Sequence, residues 1–333
     1  MKIDFPESLN LAHLPTPIQE AKRLPEMPND FVLNVKRDDL TEFICSGNKI
    51  RKLEYVLAQA LKQKTDCLIT CGGEQSNHAR ATAALAARLN LETYLVLASQ
   101  DEPNPDGNLF LDRILGAKIK YISEDDYHNR RDQIMQEMAD ELRKNGHNPY
   151  VIPEGASNPL GTWGYIRAGQ EIKDQIDEKG LNIDRVVLAS SSGGTYAGLF
   201  ISSKLLGWNV KITGFNVNHN KDIVTSRIWD LVEKTRKEFK LDFKADKAEI
   251  HIVDGYIGAG YAKTTDKECR FLRSVASATG LILDPVYTGK ALFGLIDQMK
   301  NKKISQREKV LFLHTGGAFG LFAYKDRFFG QSK

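Results

Sequence analysis

Three basic residues stand within four positions in the segment "CSGNKIRKLE", which covers residues 45–54. Lys49, Arg51 and Lys52 follow a short run of small and polar residues, a pattern that predicts a loop leading into a helix. A lysine amine is a useful nucleophile near neutral pH only if its surroundings lower its pKa. An isolated basic cluster at a helix start is ordinarily a set of solvated charges, so this segment alone leaves both interpretations open.

Four other segments rich in small and polar residues each follow a predicted strand. They are "TCGGEQSNHAR", "ASSSGGTYAG", "DPVYTGK" and "HTGGAFG". Turn chemistry alone usually requires fewer such junctions in one chain. In open parallel sheets, ligands bind beyond the carboxyl ends of the strands, so these junctions indicate ligand contacts.

The segment "ASSSGGTYAG" predicts a phosphate site. Its glycines let backbone N–H groups converge, and the helix that follows adds a partial positive charge. A tight turn that needs two glycines is the alternative interpretation. The residues of the predicted cradle are Ser191, Ser192, Gly193, Gly194 and Thr195.

The phosphate is not expected to belong to a nucleotide. The spacings GxxxxGK[ST] and GxGxxG are both absent, and "GFNVN" offers Asn216 and Asn218 where a ribose-binding acid is expected. A smaller phosphate ester fits better.

The remaining junctions offer polar groups for the rest of a ligand. Ser76, Asn77 and His78 open a helix whose free N–H groups suit a carboxylate, although a serine there is often only an N-cap. Tyr287 is predicted where the strand "LILDPVY" meets a helix, either as a space-filling side chain or as a hydroxyl donor. Thr315 is either a turn residue or a neutral partner for a heterocycle.

The elements that must position these residues alternate along the chain. Apolar β-branched runs such as "FVLNVKR", "DCLITC" and "DRVVLAS" are separated by helical patterns such as "KIRKLEYVLAQALKQ". This alternation predicts an α/β fold of two open, twisted, mostly parallel sheets with helices on both faces. Two domains that share a cleft are the preferred arrangement, although no composition shift marks their boundary.

The composition excludes several classes of function. The 333 residues carry a net charge of +3 from 46 basic and 43 acidic residues, so no broad nucleic-acid or anionic-membrane surface is expected. Four cysteines without CxxC spacing and seven histidines without HExxH predict no metal site and no disulfide framework. They suggest reduced thiols and a cytoplasmic location. No apolar run predicts a signal peptide or a membrane span.

Together, "GNKIRKLEY", "GGEQSNHAR", "SSSGGTYAG", "DPVYTGKA" and "HTGGAFGLFAY" resemble the pyridoxal-phosphate-dependent D-cysteine desulfhydrase and 1-aminocyclopropane-1-carboxylate deaminase family. The likeness runs from "LPTPI" near residue 14 to "LFAY" near residue 324. It implies a fold-type II enzyme, similar to the tryptophan synthase β subunit. It also implies a homodimer whose larger, cofactor-binding domain comprises residues 1–48 and 161–333, and whose smaller, mobile domain comprises residues 49–160.

The resemblance also implies roles for individual residues. Lys49 is expected to bind pyridoxal phosphate covalently and then to act as a base or acid near the substrate α-carbon, with Arg51 and Lys52 as flanking residues. The turn 191–195 is expected to anchor the cofactor phosphate, and Asn77 to contact the ring hydroxyl. Ser76 is expected beside the substrate carboxylate and, in the deaminase branch, as a nucleophile or proton carrier. The other expected site residues are Asn77 and His78 as further substrate contacts, Tyr261 and Tyr287 as catalytic residues near the ring and substrate, and Thr288 and Thr315 as neutral cofactor contacts.

The expected reaction depends largely on Thr288. Deaminases of this kind typically carry a glutamate directly after the motif tyrosine, where it can keep the pyridine nitrogen protonated. A threonine favours β-elimination, in which the departing sulfide carries electrons away, so D-cysteine desulfhydration is predicted. The alternatives are 1-aminocyclopropane-1-carboxylate deaminase, L-cysteate sulfo-lyase, D-serine elimination and, in another class, a non-catalytic amino-acid-binding protein. Glu74 and Glu154 depart from the family pattern, and either would alter substrate choice if it faced the cleft.

Overall fold

The computed structural model of the chain describes residues 3–29, 31–218 and 220–329. Within these residues the polypeptide forms ten β-strands. In chain order they are β1 (Ile18–Glu20), β2 (Leu33–Arg37), β3 (Cys67–Gly73), β4 (Glu92–Ala98), β5 (Lys118–Ile122), β6 (Pro149–Val151), β7 (Arg185–Ser190), β8 (Lys211–Asn216), β9 (His251–Val253) and β10 (Val310–His314).

The same residues form twelve α-helices between and after the strands. They are α1 (Asn48–Lys62), α2 (Asn77–Arg88), α3 (Gly107–Ile114), α4 (Glu124–Asn129), α5 (Arg131–Lys144), α6 (Pro159–Glu178), α7 (Gly194–Leu205), α8 (Lys221–Glu238), α9 (Asp266–Thr279), α10 (Thr288–Lys300), α11 (Ala318–Leu321) and α12 (Lys325–Phe329). In the part of the chain described, none of them is long and apolar enough to cross a membrane.

The strands form two sheets. The larger has six strands in the order β1-β2-β10-β7-β8-β9, and every pair is parallel except β1 with β2. The smaller has four parallel strands in the order β5-β4-β3-β6. The α/β class and the two mostly parallel sheets expected from the sequence are therefore confirmed.

Both faces of the larger sheet are buried against helices. In β7, Val186 and Leu188 pack into a cluster with residues of α6, α7 and α8, whereas Val187 packs into another with residues of α9 and α10. All three valine and leucine side chains are fully buried. A strand that is covered on both faces needs apolar side chains at successive positions, so the sequence of β7 does not alternate between apolar and polar residues.

Residues 281–287 are not a strand, contrary to the expectation from "LILDPVY". The reason is the buried Asp284, whose carboxylate accepts hydrogen bonds from the backbone N–H groups of Val286, Tyr287 and Thr288 at 2.9, 2.7 and 2.8 Å. These donors are satisfied inside the loop and need no neighbouring strand.

All strands of the smaller sheet lie within residues 49–160, and all strands of the larger sheet lie outside that range. The division into two domains at these boundaries, and the mobility of the smaller one, stay predictions.

Candidate functional site

One cleft lies between the carboxyl ends of strands from both sheets, and the space around its lining atoms, open solvent included, is about 740 Å³. Residues that follow β3, β7 and β10 line it, as expected for parallel sheets. The predicted site residues in its lining are Lys49, Ser76, Asn77, His78, Ser191, Ser192, Gly193, Thr195, Tyr261, Tyr287 and Thr315.

Lys49 is the second residue of α1, and this helix begins against the end of β10. The backbone N–H of Asn48 donates to the carbonyl oxygen of Thr315 at 3.2 Å. Gly47, the residue before Asn48, has φ +108°, and a Cβ at Gly47 would stand 2.4 Å from the carbonyl oxygen of Thr315. Only glycine fits this contact, which holds the start of α1 against the larger sheet.

The surroundings of the Lys49 amine favour its neutral form more than water does. Burial lowers the pKa of Lys49 to about 8, although the carboxylate of Glu154 acts in the opposite direction. The backbone of Gly155 is adjacent, since a Cβ there would stand 3.1 Å from Lys49 Nζ. Far more of this amine is unprotonated at neutral pH than of a solvated lysine, so it is a usable nucleophile.

Arg51 is not a flanking solvated charge. It is 1% exposed, and its Nε and Nη2 donate to the carboxylate of Asp38 at 2.9 and 2.8 Å. Its Nη1 and Nη2 also donate to Glu171 of α6, each at 2.9 Å. Arg51 therefore ties the helix that carries Lys49 to the segment after β2 and to α6.

Lys52 is also buried, and it faces the predicted phosphate turn. Its Nζ donates to the carbonyl oxygen of Gly155 at 2.6 Å and to Ser157 Oγ at 3.1 Å. Ser157 Oγ in turn lies 2.8 Å from Ser192 Oγ. The sequence interpretation missed this role, although residues 49 and 52 are three positions apart and share one face of a helix.

The turn 191–195 has the geometry of an anion site. Gly193 adopts φ +88° directly before α7, and a Cβ on Gly194 would stand 2.8 Å from Lys52 Nζ. Gly194 is not in the cleft lining, but its missing side chain leaves room for that ammonium group. Thr195 Oγ1 accepts a hydrogen bond from Asn48 Nδ2 at 3.0 Å.

The charge of Lys52 is opposed only in part, because the carboxylate of Glu154 favours the ammonium form of Lys52 without forming an ion pair with it. Among the described residues, no carboxylate lies within ion-pair distance of its Nζ. Burial, and then the neighbouring Lys49, lower the pKa of Lys52. An anion bound at the turn would offset both effects, because an adjacent negative charge favours the ammonium form.

Ser76, Asn77 and His78 stand at the start of α2 and line the cleft. Ser76 is its N-cap, and its Oγ accepts from the N–H of Ala79 at 3.1 Å, which leaves the hydroxyl proton for another partner. His78 Nε2 lies 2.8 Å from Thr70 Oγ1. Burial, followed by the charges of Lys49 and Lys52, lowers the pKa of His78, so its ring is neutral.

Tyr261 and Tyr287 meet in the cleft, with their hydroxyl oxygens 2.5 Å apart. Tyr261 lies on the loop between β9 and α9 and is 36% exposed, whereas Tyr287 directly precedes α10. Although part of the Tyr261 side chain reaches solvent, desolvation in the cleft raises the pKa of its hydroxyl, and burial raises the pKa of Tyr287, so both hydroxyls keep their protons at neutral pH.

Thr288 does not stand where a cofactor contact was expected. It is fully buried and absent from the cleft lining. Its hydroxyl donates to Asp284 Oδ1 at 2.6 Å and accepts from the N–H of Asp284 at 2.9 Å, so it is fully used within the loop. Thr315, the other threonine expected as a neutral cofactor contact, does line the cleft.

Glu154 lines the cleft, whereas Glu74 does not. Glu154 Oε1 accepts from the hydroxyl of Tyr127 at 3.0 Å, and its Oε2 lies 3.4 Å from Arg131 Nη2. Its carboxylate therefore has a defined position at the side of the cleft where Lys49 lies.

One group of side chains in the described ranges has the spacing of metal ligands, namely Asp66, Cys67 and His147. It lies at the amino end of β3, opposite the end that reaches the cleft. Cys67 is fully buried, and burial raises the pKa of its thiol to about 12, which disfavours the thiolate that a metal needs. The group takes no part in the site.

Residues 9–316 match the model of a protein family described as "Pyridoxal-phosphate dependent enzyme". The chain belongs to this family. It is 41% identical over 329 residues to the mitochondrial bifunctional D-cysteine desulfhydrase/1-aminocyclopropane-1-carboxylate deaminase of Arabidopsis thaliana, covering 96% of this chain and 80% of the relative. It is 43% identical over 320 residues to a putative 1-aminocyclopropane-1-carboxylate deaminase of Thermotoga maritima, covering 96% and 99%.

A solved structure supports the same relationship. The crystal structure of a 1-aminocyclopropane-1-carboxylate deaminase homologue superposes with a TM-score of 0.88 at 36% identity, over 97% of this chain and 95% of that one. The chain is thus a fold-type II pyridoxal-phosphate-dependent lyase that carries out elimination or deamination, and the family resemblance seen in the sequence is confirmed.

The residues present fit this cofactor. The phosphate would be held by the N–H groups and hydroxyls of the turn 191–195 together with the ammonium group of Lys52, whose charge has no carboxylate partner in the described residues. Lys49 would hold the aldehyde carbon. Asn77 and Thr315 line the space between these points and would contact the ring.

The pKa of Lys49 predicts how the cofactor-free enzyme takes up pyridoxal phosphate. Attachment needs the unprotonated amine, so its rate should rise with pH and reach half its maximum near pH 8, the pKa of about 8 set by burial. If Lys49 were solvated, the half-maximal rate would be reached at a pH of about 10.4, the ordinary pKa of lysine. Stopped-flow absorbance across pH 6–10 measures this. Glu154→Gln should move the midpoint down, because the carboxylate of Glu154 raises this pKa.

Proposed function

We propose that the chain catalyses the α,β-elimination of D-cysteine, in which D-cysteine and water yield pyruvate, hydrogen sulfide and ammonia. The observation that carries this choice is position 288. The resemblance places the carboxylate of ring-opening deaminases there, whereas this chain has a threonine that is bonded to Asp284 and lies outside the cleft lining, so position 288 offers the ring no carboxylate. Thr315, which lines the cleft, is then the candidate partner for the ring nitrogen, and it is neutral.

A neutral partner leaves the ring a weaker acceptor of electrons. When bound, pyridoxal phosphate supplies an electron sink for the carbanion at the substrate α-carbon. Opening an unactivated three-membered ring requires a strong sink. Loss of a thiol from the β-carbon requires less, because the departing sulfur carries the electron pair.

The residues of the cleft supply the remaining chemistry. The amine of Lys49 would act as the base that takes the proton from the substrate α-carbon. The free N–H groups at the start of α2 and the hydroxyl of Ser76 hold the substrate carboxylate. The paired hydroxyls of Tyr261 and Tyr287 keep their protons and can donate one to the departing sulfur.

Deamination of 1-aminocyclopropane-1-carboxylate is the second candidate. The Thermotoga maritima relative and the solved homologue are named for this activity, which supports the second candidate. The Arabidopsis thaliana relative is named for both activities. The two candidates differ in the leaving group and share the cofactor and the base.

A side-by-side assay of product release tests the proposal. The panel contains D-cysteine, L-cysteine, L-cysteate, D-serine and 1-aminocyclopropane-1-carboxylate, with pyruvate, 2-oxobutyrate and sulfide measured separately. We expect the highest kcat/KM for D-cysteine. A higher value for the cyclopropane amino acid would replace the proposal with the second candidate, and binding without turnover of any substrate would indicate a non-catalytic binding protein.

Glu154 is expected to disfavour substrates with an anionic side chain. Its carboxylate lies in the cleft, so it should repel the sulfonate of L-cysteate while leaving neutral D-cysteine unaffected. In Glu154→Gln, inhibition of D-cysteine turnover by L-cysteate should become about fivefold tighter, as measured by the inhibition constant.

Glu74→Gln is the matched control, because Glu74 lies outside the cleft lining. It should leave the inhibition constant of L-cysteate unchanged. Equal effects of the two substitutions, or none at Glu154, would remove Glu154 from the account of substrate choice.

A cytoplasmic location and a homodimer are also proposals. All four cysteines are buried and unpaired, as suits a reducing compartment. Light scattering on the purified protein tests the dimer, and cell fractionation tests the location.

A further inference from the structure

Asn77, which lines the cleft, is held from behind by a second asparagine. Its Oδ1 accepts a hydrogen bond at 2.9 Å from Nδ2 of Asn108, the second residue of α3. Asn108 is fully buried and does not line the cleft. It therefore contacts a site residue without entering the site.

Asn108 is itself oriented by Gln75. Asn108 Nδ2 donates a second hydrogen bond to the carbonyl oxygen of Gln75 at 2.9 Å. The backbone N–H of Asn108 donates to Gln75 Oε1 at 2.9 Å, and Gln75 Nε2 donates to the carbonyl oxygen of Asp106 at 3.0 Å. Both Nδ2 hydrogens of Asn108 are thus used, so its amide cannot turn over without losing two bonds.

This arrangement determines which end of the Asn77 amide faces the cleft. An asparagine amide has one oxygen, which only accepts, and one NH₂ group, which only donates. The Asn77 oxygen is occupied by Asn108, and no group among the described residues accepts from Asn77 Nδ2. The NH₂ group is therefore the end left for a ligand.

We infer that Asn108 is a positioning residue that holds Asn77 with its NH₂ group toward the ring oxygen of pyridoxal phosphate. A donor at that point stabilises the ionised form of the oxygen, whereas the amide oxygen would repel it. The inference rests on the cofactor and not on D-cysteine as the substrate, so it stands or falls separately from the proposed function.

A double-mutant cycle tests whether Asn108 acts through Asn77. Asn108→Ala should raise the dissociation constant for pyridoxal phosphate about tenfold, the effect of losing one hydrogen bond to a charged group. It should also lower the fraction of bound cofactor that absorbs on the order of 410–430 nm, because the ionised ring oxygen loses its donor. In an Asn77→Ala background, Asn108→Ala should add no further change in either measurement.

Asn108→Asp sharpens the test, because a carboxylate accepts from the Asn77 NH₂ group and turns the amide oxygen toward the cofactor. Its effect on the absorbance should exceed that of Asn108→Ala. Asn148→Ala is the control and should match the parent. Asn148 is exposed, directly precedes β6, and its side-chain amide donates to the backbone carbonyl oxygens of Gln63 and Lys64.

Two results would overturn the inference. One is a folded Asn108→Ala variant with the parent's spectrum and cofactor affinity. The other is the same additional loss of affinity in the Asn77→Ala background, which would show that Asn108 only supports the fold. Where Asn108→Ala is not obtained folded, Asn108→Ser, which keeps a polar group in the buried space, takes its place in the cycle.

Discussion

Lys49→Ala is expected to abolish both the covalent attachment of the cofactor and turnover. The variant keeps the phosphate turn 191–195, so pyridoxal phosphate should still bind reversibly. The absorbance band on the order of 410–430 nm should be missing, and kcat/KM should fall by about 10³-fold or more, because the anchor and the α-carbon base are one amine. Absorbance spectroscopy and the pyruvate assay measure the two losses.

Two variants control for this result. Lys62→Ala changes an exposed lysine at the other end of α1 and should keep both the band and the activity. Lys52→Ala should keep the covalent band but release the cofactor more readily, since the phosphate loses its ammonium partner. A Lys49→Ala enzyme that retained the band would show that another lysine carries the cofactor.

Asp38→Asn is expected to produce the largest loss of stability. Asp38 is fully buried and accepts hydrogen bonds from Thr16, Arg51 and the hydroxyl of Tyr165 at 2.7, 2.8 and 2.6 Å. Removing its charge leaves Arg51 with Glu171 as its one ion-pair partner among the described residues, and Lys36 also depends on Glu171. Breaking a buried ion-pair network costs about 3–5 kcal/mol of the free energy of unfolding, measurable by urea denaturation at neutral pH.

The pH dependence of this loss has a defined sign. Burial opposes ionisation of Asp38, but the charges of Arg51 and then Lys36 outweigh it and lower its pKa below the usual value. The stabilisation is therefore complete above the pKa of the unfolded chain, about 3.9, and disappears as the pH falls through the lower folded value. The parent and Asp38→Asn should accordingly converge in strong acid.

Asp140→Asn provides the comparison for an exposed pair. Asp140 pairs with Arg143 on the surface of α5, and its removal should change the free energy of unfolding by about 0.5 kcal/mol or less. If Asp38→Asn cost no more than that, the buried network would not be what holds α1 in place.

The positions of several site residues could be predicted because they follow strands. Ser76 comes after β3, the turn 191–195 after β7 and Thr315 after β10, and the carboxyl ends of parallel strands meet at one edge. The position of Tyr261 could not be predicted in this way. It lies on an irregular loop, where no periodic pattern marks it, and only the family resemblance identified it.

Other residues were placed by contacts that no local pattern contains. Asn108 meets Asn77 across 31 residues, and Lys52 reaches Gly155 across 103. Thr288 was misplaced for a different, local reason: its hydroxyl is taken by Asp284, four residues earlier, in a loop that resembles a strand in sequence.

The sequence by itself was enough to predict the α/β class and the cofactor, since these depend on periodic runs and on short motifs in a fixed order. That Lys49 carries the cofactor stays a prediction from the same motifs. Only the tertiary structure decided which charged and polar groups are buried, which of them face the cleft and which support it from behind. Side-chain periodicity and turn preferences act over a few residues, whereas the pairing of a buried polar group depends on which distant segments fold against it.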